Sequence, residues 1–316
     1  MKTRLLFTSD VHGAEKVFMK FVNAAKHYSA DVLILGGDIT GKIMIPIIKR
    51  EDGTYLTEYK GQVQKLDTES QLSDLLKNIR FSGYYPYVTT QSEYDQLAND
   101  KSKMDALFSK VMAENVERWI KVAEERLRGS KIKCYISPGN DDRYDVDRIL
   151  SSSDVVINPE GRVVTIDDRH EMITLGYTNV TPWNAPRDID DAELGKKVED
   201  LASKVNNMRD CIFNFHCPPY DSSLDTAPLL RPDLRPVVSG GAIVNVPVGS
   251  KAVRKAIETH QPLLGLHGHI HEAKGASKIG RTLCINPGSE YPEGILCGVV
   301  VDLDEKGVKG YVLTSG

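Results

Sequence analysis

The stretch Arg4–Asp38, RLLFTSDVHGAEKVFMKFVNAAKHYSADVLILGGD, decides the fold. It opens on a short apolar run, RLLFTSD. It closes on a second, DVLILGGD, whose leucine and β-branched side chains suit a strand buried on both faces. Between them Val17, Phe18, Phe21, Ala24, Ala25 and Tyr28 recur with the spacing of one buried helical face over Ala14–Tyr28. Strand, helix and strand in this order predict a parallel pair with a right-handed crossover. Both runs end on polar residues, Asp10 and His12 after the first and Asp38 after the second.

The same ending recurs along the chain. CYISPGND ends on Asn140, Asp141 and Asp142, IFNFH on His216, and LLGLHGHIH on His267, His269 and His271. The whole sequence has 8 histidines, so the cluster at 267–271 is a concentration. Ligands of α/β sheets collect at the carboxyl ends of strands, and five such ends can pool their side chains in one crevice. An Asp or Asn after a single strand is usually a turn residue or a helix cap. Their joint occurrence in this order reverses that balance.

Asp10-x-His12, Gly37-Asp38, Gly139-Asn140-Asp141-Asp142, His216 and Gly268-His269-x-His271 resemble the ordered motifs of the calcineurin-like metallophosphoesterases. INPGS at 285–289 is similar to the loop that closes the site in bacterial and archaeal members. The resemblance implies an α/β fold in which two packed mixed β-sheets are flanked by helices, an αββα sandwich. It implies one metal on Asp10, His12, Asp38 and His271, and another on Asp38, Asn140, His216 and His269, with Asp38 bridging. The implied reaction is hydrolysis of a phosphate mono- or diester by in-line attack of a metal-bound hydroxide. Two metals about 3.5–4 Å apart would supply both the nucleophile and charge for the developing phosphorane. Mixed nitrogen and oxygen ligation suits Mn, Fe, Zn or Ni better than Ca or Mg.

One position departs from the family pattern. Asp141 stands where the family most often has the histidine that stabilises the transition state or protonates the leaving group. A carboxylate beside two cations is pushed toward ionisation, which makes it a poor acid that repels a phosphate dianion. Three readings stay open. Metal activation acts alone, which favours diesters and nucleotide-like substrates with good leaving groups; Asp141 acts as acid through a shifted pKa; or His267 or His170 fills the vacancy. The candidate catalytic residues are thus Asp38, Asn140, Asp141 and His267. Asp142 falls at the family's acidic position. Arg187, Arg231 and Arg235 are candidate phosphate clamps.

The rest of the sequence sets bounds. A single domain over 1–316 is expected, with a polar, helical insertion at 42–128 that includes a possible hairpin at 51–70 and a long amphipathic helix stopping at Gly129. Net charge is −4, so no global basic field invites nucleic acid or an anionic membrane. Five scattered cysteines without a CxxC pair suit buried thiols, and no apolar run approaches the roughly 18 residues of a membrane span. The chain reads as cytoplasmic, acting on a small anionic phosphate ester. The rivals are a non-catalytic metal-binding scaffold on the same fold and, below it, a nuclease. Nothing in the sequence speaks to oligomeric state.

Overall fold

The computed structural model describes residues 2–316. Its first unit is β1 (Thr3–Thr8), α1 (Glu15–His27) and β2 (Val32–Gly36), and the two strands pair in parallel from Leu5↔Val32 to Thr8↔Leu35. Alternation of side chains then divides the strands between two cores. Leu5, Phe7, Val32 and Ile34 point to one face, while Leu6, Leu33 and Leu35 meet α1 on the other.

The insertion follows. It contains β3 (Met44–Lys49), β4 (Tyr55–Tyr59), β5 (Gln62–Leu66), α2 (Glu69–Phe81), β6 (Tyr85–Thr90), α3 (Gln91–Ala98) and α4 (Lys101–Leu127). The insertion carries three helices and, at its centre, a four-stranded sheet of order β5-β4-β3-β6 that the sequence did not announce. MIPIIK and YPYVTT pair in parallel across an intervening hairpin and helix, a partnership no local pattern reveals. The anticipated hairpin is β4–β5, turned by Lys60 and Gly61, both at positive φ (53° and 71°) as a tight two-residue hairpin turn requires. Helix α2 starts in a capping box between Thr68 and Gln71. Helix α4 is seated on the scaffold by Trp119, stacked on Phe18 with centroids 4.3 Å apart.

After the insertion come β7 (Lys133–Ser137), α5 (Asp145–Leu150), β8 (Val156–Ile157), β9 (Val163–Thr165), β10 (Glu171–Leu175), α6 (Asp191–Ala202) and β11 (Cys211–Phe215). The chain ends with α7 (Lys251–His260), β12 (Leu264–Leu266), β13 (Gly275–Ile279), β14 (Thr282–Asn286), β15 (Cys297–Asp304) and β16 (Gly307–Ser315). One six-stranded sheet runs β16-β15-β1-β2-β7-β8, the other β13-β14-β12-β11-β10-β9. Leu5, Phe7, Ile34, Ile212, Leu266 and Ile285 are among the residues filling the space between the sheets. Outside the second sheet, Phe213 and Phe215 pack with Leu194 and Val198 of α6 and Val253 and Ile257 of α7. The layers are helix, sheet, sheet, helix. No helix among the described residues is long and apolar enough to cross a membrane, and the five cysteines are buried and free.

Candidate metal centre

β1, β2 and β7 run parallel in one sheet, and β10, β11 and β12 run parallel in the other. Their carboxyl ends deliver Asp10 and His12, Asp38, Asn140, His216, and His269 and His271 to one edge of the sandwich. Candidate ligand atoms of Asp10, His12 and His271 lie within 4.8 Å of one another, and those of Asp38, His216 and His269 do the same. A third such group is His12, Asp38 and Asp141.

Asp38 stands between the first two groups. One of its oxygens is 3.6 Å from His12 Nε2 and the other 3.4 Å from His216 Nε2. Asp10 Oδ1 lies 3.4 Å from His271 Nε2 and 3.8 Å from His216 Nε2. Asp10, His12, Asp38, Asn140 and His216 are all at most 2% exposed.

The backbone is bent to make this possible. Asp10 (φ 57°), His12 (40°), Asp38 (49°) and His269 (68°) all adopt left-handed conformations, which non-glycine residues seldom take and which cluster at functional sites. Glycine beside the strand ends allows the close approach. A Cβ on Gly268 would lie 2.1 Å from Ser9 Oγ and 2.5 Å from Asp10 Oδ2, and one on Gly139 would lie 2.2 Å from Asp38 Oδ1.

Neighbouring groups fix which atom each side chain presents. His216 Nδ1 donates to the Gly36 carbonyl (2.9 Å), so Nε2 faces the two carboxylates with no hydrogen-bond partner. The Asn140 amide nitrogen donates to Asp188 (2.9 Å), which leaves its buried Oδ1 unpartnered. Buried polar atoms are rarely left so, and a hydrogen bond on the far atom of a ligand is how metal ligands are aimed. The Nε2 atoms of His12 and His271 are 3.0 Å apart. Two nitrogens each about 2.1 Å from one ion and at a right angle to each other would be separated by about 3.0 Å. The residues therefore fit divalent ions.

The electrostatics call for positive charge. Burial pushes Asp10 up, but His216, His271 and His12 together hold it well below the usual carboxylate range. Asp38 is pushed up to about 7, by burial first and by the charges of Asp141 and Asp10, against the pull of His216. Burial opposes a charge on His216, yet Asp38 and Asp10 raise it to about 10.

His267 is not brought to these groups. It is fully buried, and its Nδ1 donates to the carbonyls of Phe215 (2.9 Å) and Cys217 (3.1 Å). His170 precedes β10, at the strand end away from the ligands, and is bound to Asp167 (2.8 Å). Arg187 is 1% exposed, donates to the Asp142 carbonyl (3.0 Å) and pairs with Asp147, so it braces the loop. Asp142 accepts from the backbone N–H groups of Ile39, Thr40 and Gly139 (3.0, 2.9 and 2.8 Å), tying two ligand loops together. Asp141 donates its backbone N–H to Asp38 (3.0 Å), and its carboxylate is ion-paired with Lys42. The INPGS loop closes over the site, with Ser289 donating to the Asp10 carbonyl (2.7 Å) and to that of His271 (3.1 Å). Behind it the Tyr291 ring lies 4.8 Å from that of His12. Sequence reasoning missed Lys42, Asp188 and Tyr291. None carries a motif: Lys42 lies in the loop four residues past Asp38, Asp188 in a two-residue strand (Asp188–Ile189) far in sequence from any ligand, and Tyr291 in a short 3-10 helix (Tyr291–Glu293) just after INPGS.

No family model matches the chain. The uncharacterised protein MJ1162 of Methanocaldococcus jannaschii is 30% identical over 152 residues, which span 48% of this chain and 61% of that protein. TT1561 of Thermus thermophilus superposes with a TM-score of 0.55 at 15% identity, covering 100% of this chain and 99% of the other. A novel archaeal phosphodiesterase and the phosphoesterase YfcE of E. coli match with TM-scores of 0.31 and 0.35, at 11% and 13% identity, too distant to argue from. Each covers at least 98% of both chains. The chain thus shares the fold of TT1561, a helix–sheet–sheet–helix sandwich, and gathers its ligand-type side chains at the ends of the parallel strands.

Proposed function

We propose that the protein is a dimetal phosphoesterase that hydrolyses a small phosphate mono- or diester. The observation that carries this reading is Asp38 standing between two groups of buried ligand-type side chains, with Asn140 Oδ1 and His216 Nε2 unpartnered. Divalent ions held there, of the Mn, Fe, Zn or Ni class, would supply an activated water and charge against the developing phosphorane.

The chain's own groups have definite tasks. Asp10, His12 and His271 would hold one ion, and His216, His269 and Asn140 the other, with Asp38 placed between the two groups. Gly36 and Asp188 aim His216 and Asn140 through the hydrogen bonds on their far atoms. Lys42 neutralises Asp141, so the carboxylate at the family's histidine position does not repel an incoming phosphate, and the Lys42 ammonium is a second cation at the mouth of the site. Asp141, held ionised by Lys42, has no proton to offer a leaving group. This supports a preference for diesters and esters with good leaving groups.

Hydrolysis of bis(p-nitrophenyl) phosphate by protein loaded with Mn²⁺ tests the reading. Turnover in wild type and its loss in Asp38→Ala are expected. Equal rates in the two would refute the proposal, and absence of turnover in both, with two ions bound, would favour a non-catalytic scaffold.

A further inference from the structure

The sheet of the insertion has two faces. Ile47, with Ile45 beside it, packs against Leu72, Leu75 and Ile79 of α2. Met44 and Pro46 of β3, with Tyr87 of β6 in register with Pro46, turn to the opposite face. That face is roofed by α3 and the first turns of α4, but it is not filled. Helix α3 has no buried residue, and Met104 and Phe108 of α4 are only half-buried, although they continue the apolar stripe that is fully buried from Met112 onward. A cavity of about 530 Å³ remains between sheet and roof, with Tyr94 and Leu97 of α3 on its wall.

At one end the cavity reaches Lys42, beside the candidate centre. Lys42 and Arg143 line it there. Lys42 is the partner of Asp141, and Arg143 lies three residues past Asn140. Arg143 is held by Asp105 (2.5 Å) and lies over the Phe108 ring, 5.3 Å from its centroid, so its guanidinium forms part of the wall. The volume falls within the range of small-molecule pockets, and such pockets join apolar and aromatic walls to a few polar groups that fix orientation.

We propose that this cavity binds the organic group of the phosphate ester, an aromatic group of naphthyl to nucleoside size, while the phosphate rests at the metal centre; this rests on the phosphoesterase reading. Tyr87, Tyr94 and Phe108 offer faces and edges to a flat ring, Met44 and Met104 adapt to its outline, and the cationic end meets the phosphate. The specificity of the enzyme then resides in the insertion, and the sandwich supplies the chemistry.

Titration calorimetry on protein loaded with Mn²⁺ tests this with two non-hydrolysable probes, methylphosphonate and 1-naphthylphosphonate. Both should bind in competition with each other, the naphthyl probe at least tenfold more tightly. Leu97→Glu and Tyr94→Ala, each checked for fold by circular dichroism, should remove most of that advantage and leave methylphosphonate affinity unchanged. Equal affinity of the two probes for wild type, or an advantage that survives both variants, would overturn the cavity assignment alone. Failure of methylphosphonate to bind would overturn the metal-centre reading, and the assignment with it.

Discussion

The ammonium of Lys42 is ion-paired with the carboxylate of Asp141, which in turn donates its backbone N–H to Asp38. The pair occupies the place where the resembling family carries a histidine. It holds the Asp141 carboxyl below its usual range despite burial, so the carboxylate stays ionised and matched. Lys42→Met leaves that charge unmatched beside the incoming phosphate and removes a cation from it. Loss of one donor aimed at developing charge costs on the order of 10²-fold in rate. A fall of about that size in kcat/KM for bis(p-nitrophenyl) phosphate is expected, with metal content unchanged; an unaltered rate would confine the pair to a structural role.

Asp188 acts on the centre through Asn140. It accepts from the Asn140 amide and is itself held by Thr178 (3.1 Å) and by the backbone of Thr181 (3.0 Å). Removal of such an outer partner typically lowers metal affinity about 10–100-fold. Asp188→Ala should therefore weaken the binding of one ion by about that factor while the other ion stays bound, as read by calorimetric titration with Mn²⁺. Equal weakening of both ions, or of neither, would contradict the assignment of Asn140 to a single ion.

His267 makes a prediction about stability. Burial lowers it to about 4, against the donated hydrogen bonds to Phe215 and Cys217. Above its unfolded value of about 6.5 the ring is neutral in both states and contributes nothing to the pH dependence. As pH falls from about 6.5 to 4 the unfolded chain takes up a proton that the folded chain refuses, so stability is lost in that window, by roughly 3 kcal/mol at most. His267→Asn should flatten this part of the urea-unfolding profile. A slope between pH 6.5 and 4 equal to that of wild type would show that the ring protonates freely in the folded protein.

Gly268 is a point of close approach between the sheets. Its missing Cβ leaves room for Ser9 and Asp10, and the next backbone N–H, on His269, donates to both oxygens of Asp10 (3.1 Å each). Gly268→Ala forces these groups apart. We expect lower thermal stability together with reduced metal content by elemental analysis. Phe18→Ala, in the core between α1 and α4, should cost about 3–5 kcal/mol and leave metal content intact. If Gly268→Ala retained its metal, the cradle at Asp10 would be looser than described.

The sequence displayed the first unit and the strand-end motifs because both are local. β1, α1 and β2 follow one another with clear periods, and each ligand lies within a few residues of an apolar run. The insertion was harder. The hairpin at 51–70 was legible, but MIPIIK and YPYVTT become neighbours only after that hairpin and a helix have intervened, so their pairing left no local pattern. Lys42 and Asp141 are far apart in sequence, as are Asn140 and Asp188, and neither pair carries a spacing that announces it. His267 stood out by its place in a histidine cluster. Its immersion among carbonyls of β11 and the segment after it depends on sheet order, which the alternation of histidines does not encode.

Whether the two groups of side chains around Asp38 each hold an ion is decided by crystals soaked in Mn²⁺ and measured at the manganese edge. Two anomalous peaks about 3.5–4 Å apart are expected, one among Asp10, His12 and His271 and the other among His216, His269 and Asn140, with Asp38 touching both. A single peak, or none at full Mn²⁺ saturation, would refute the dimetal centre.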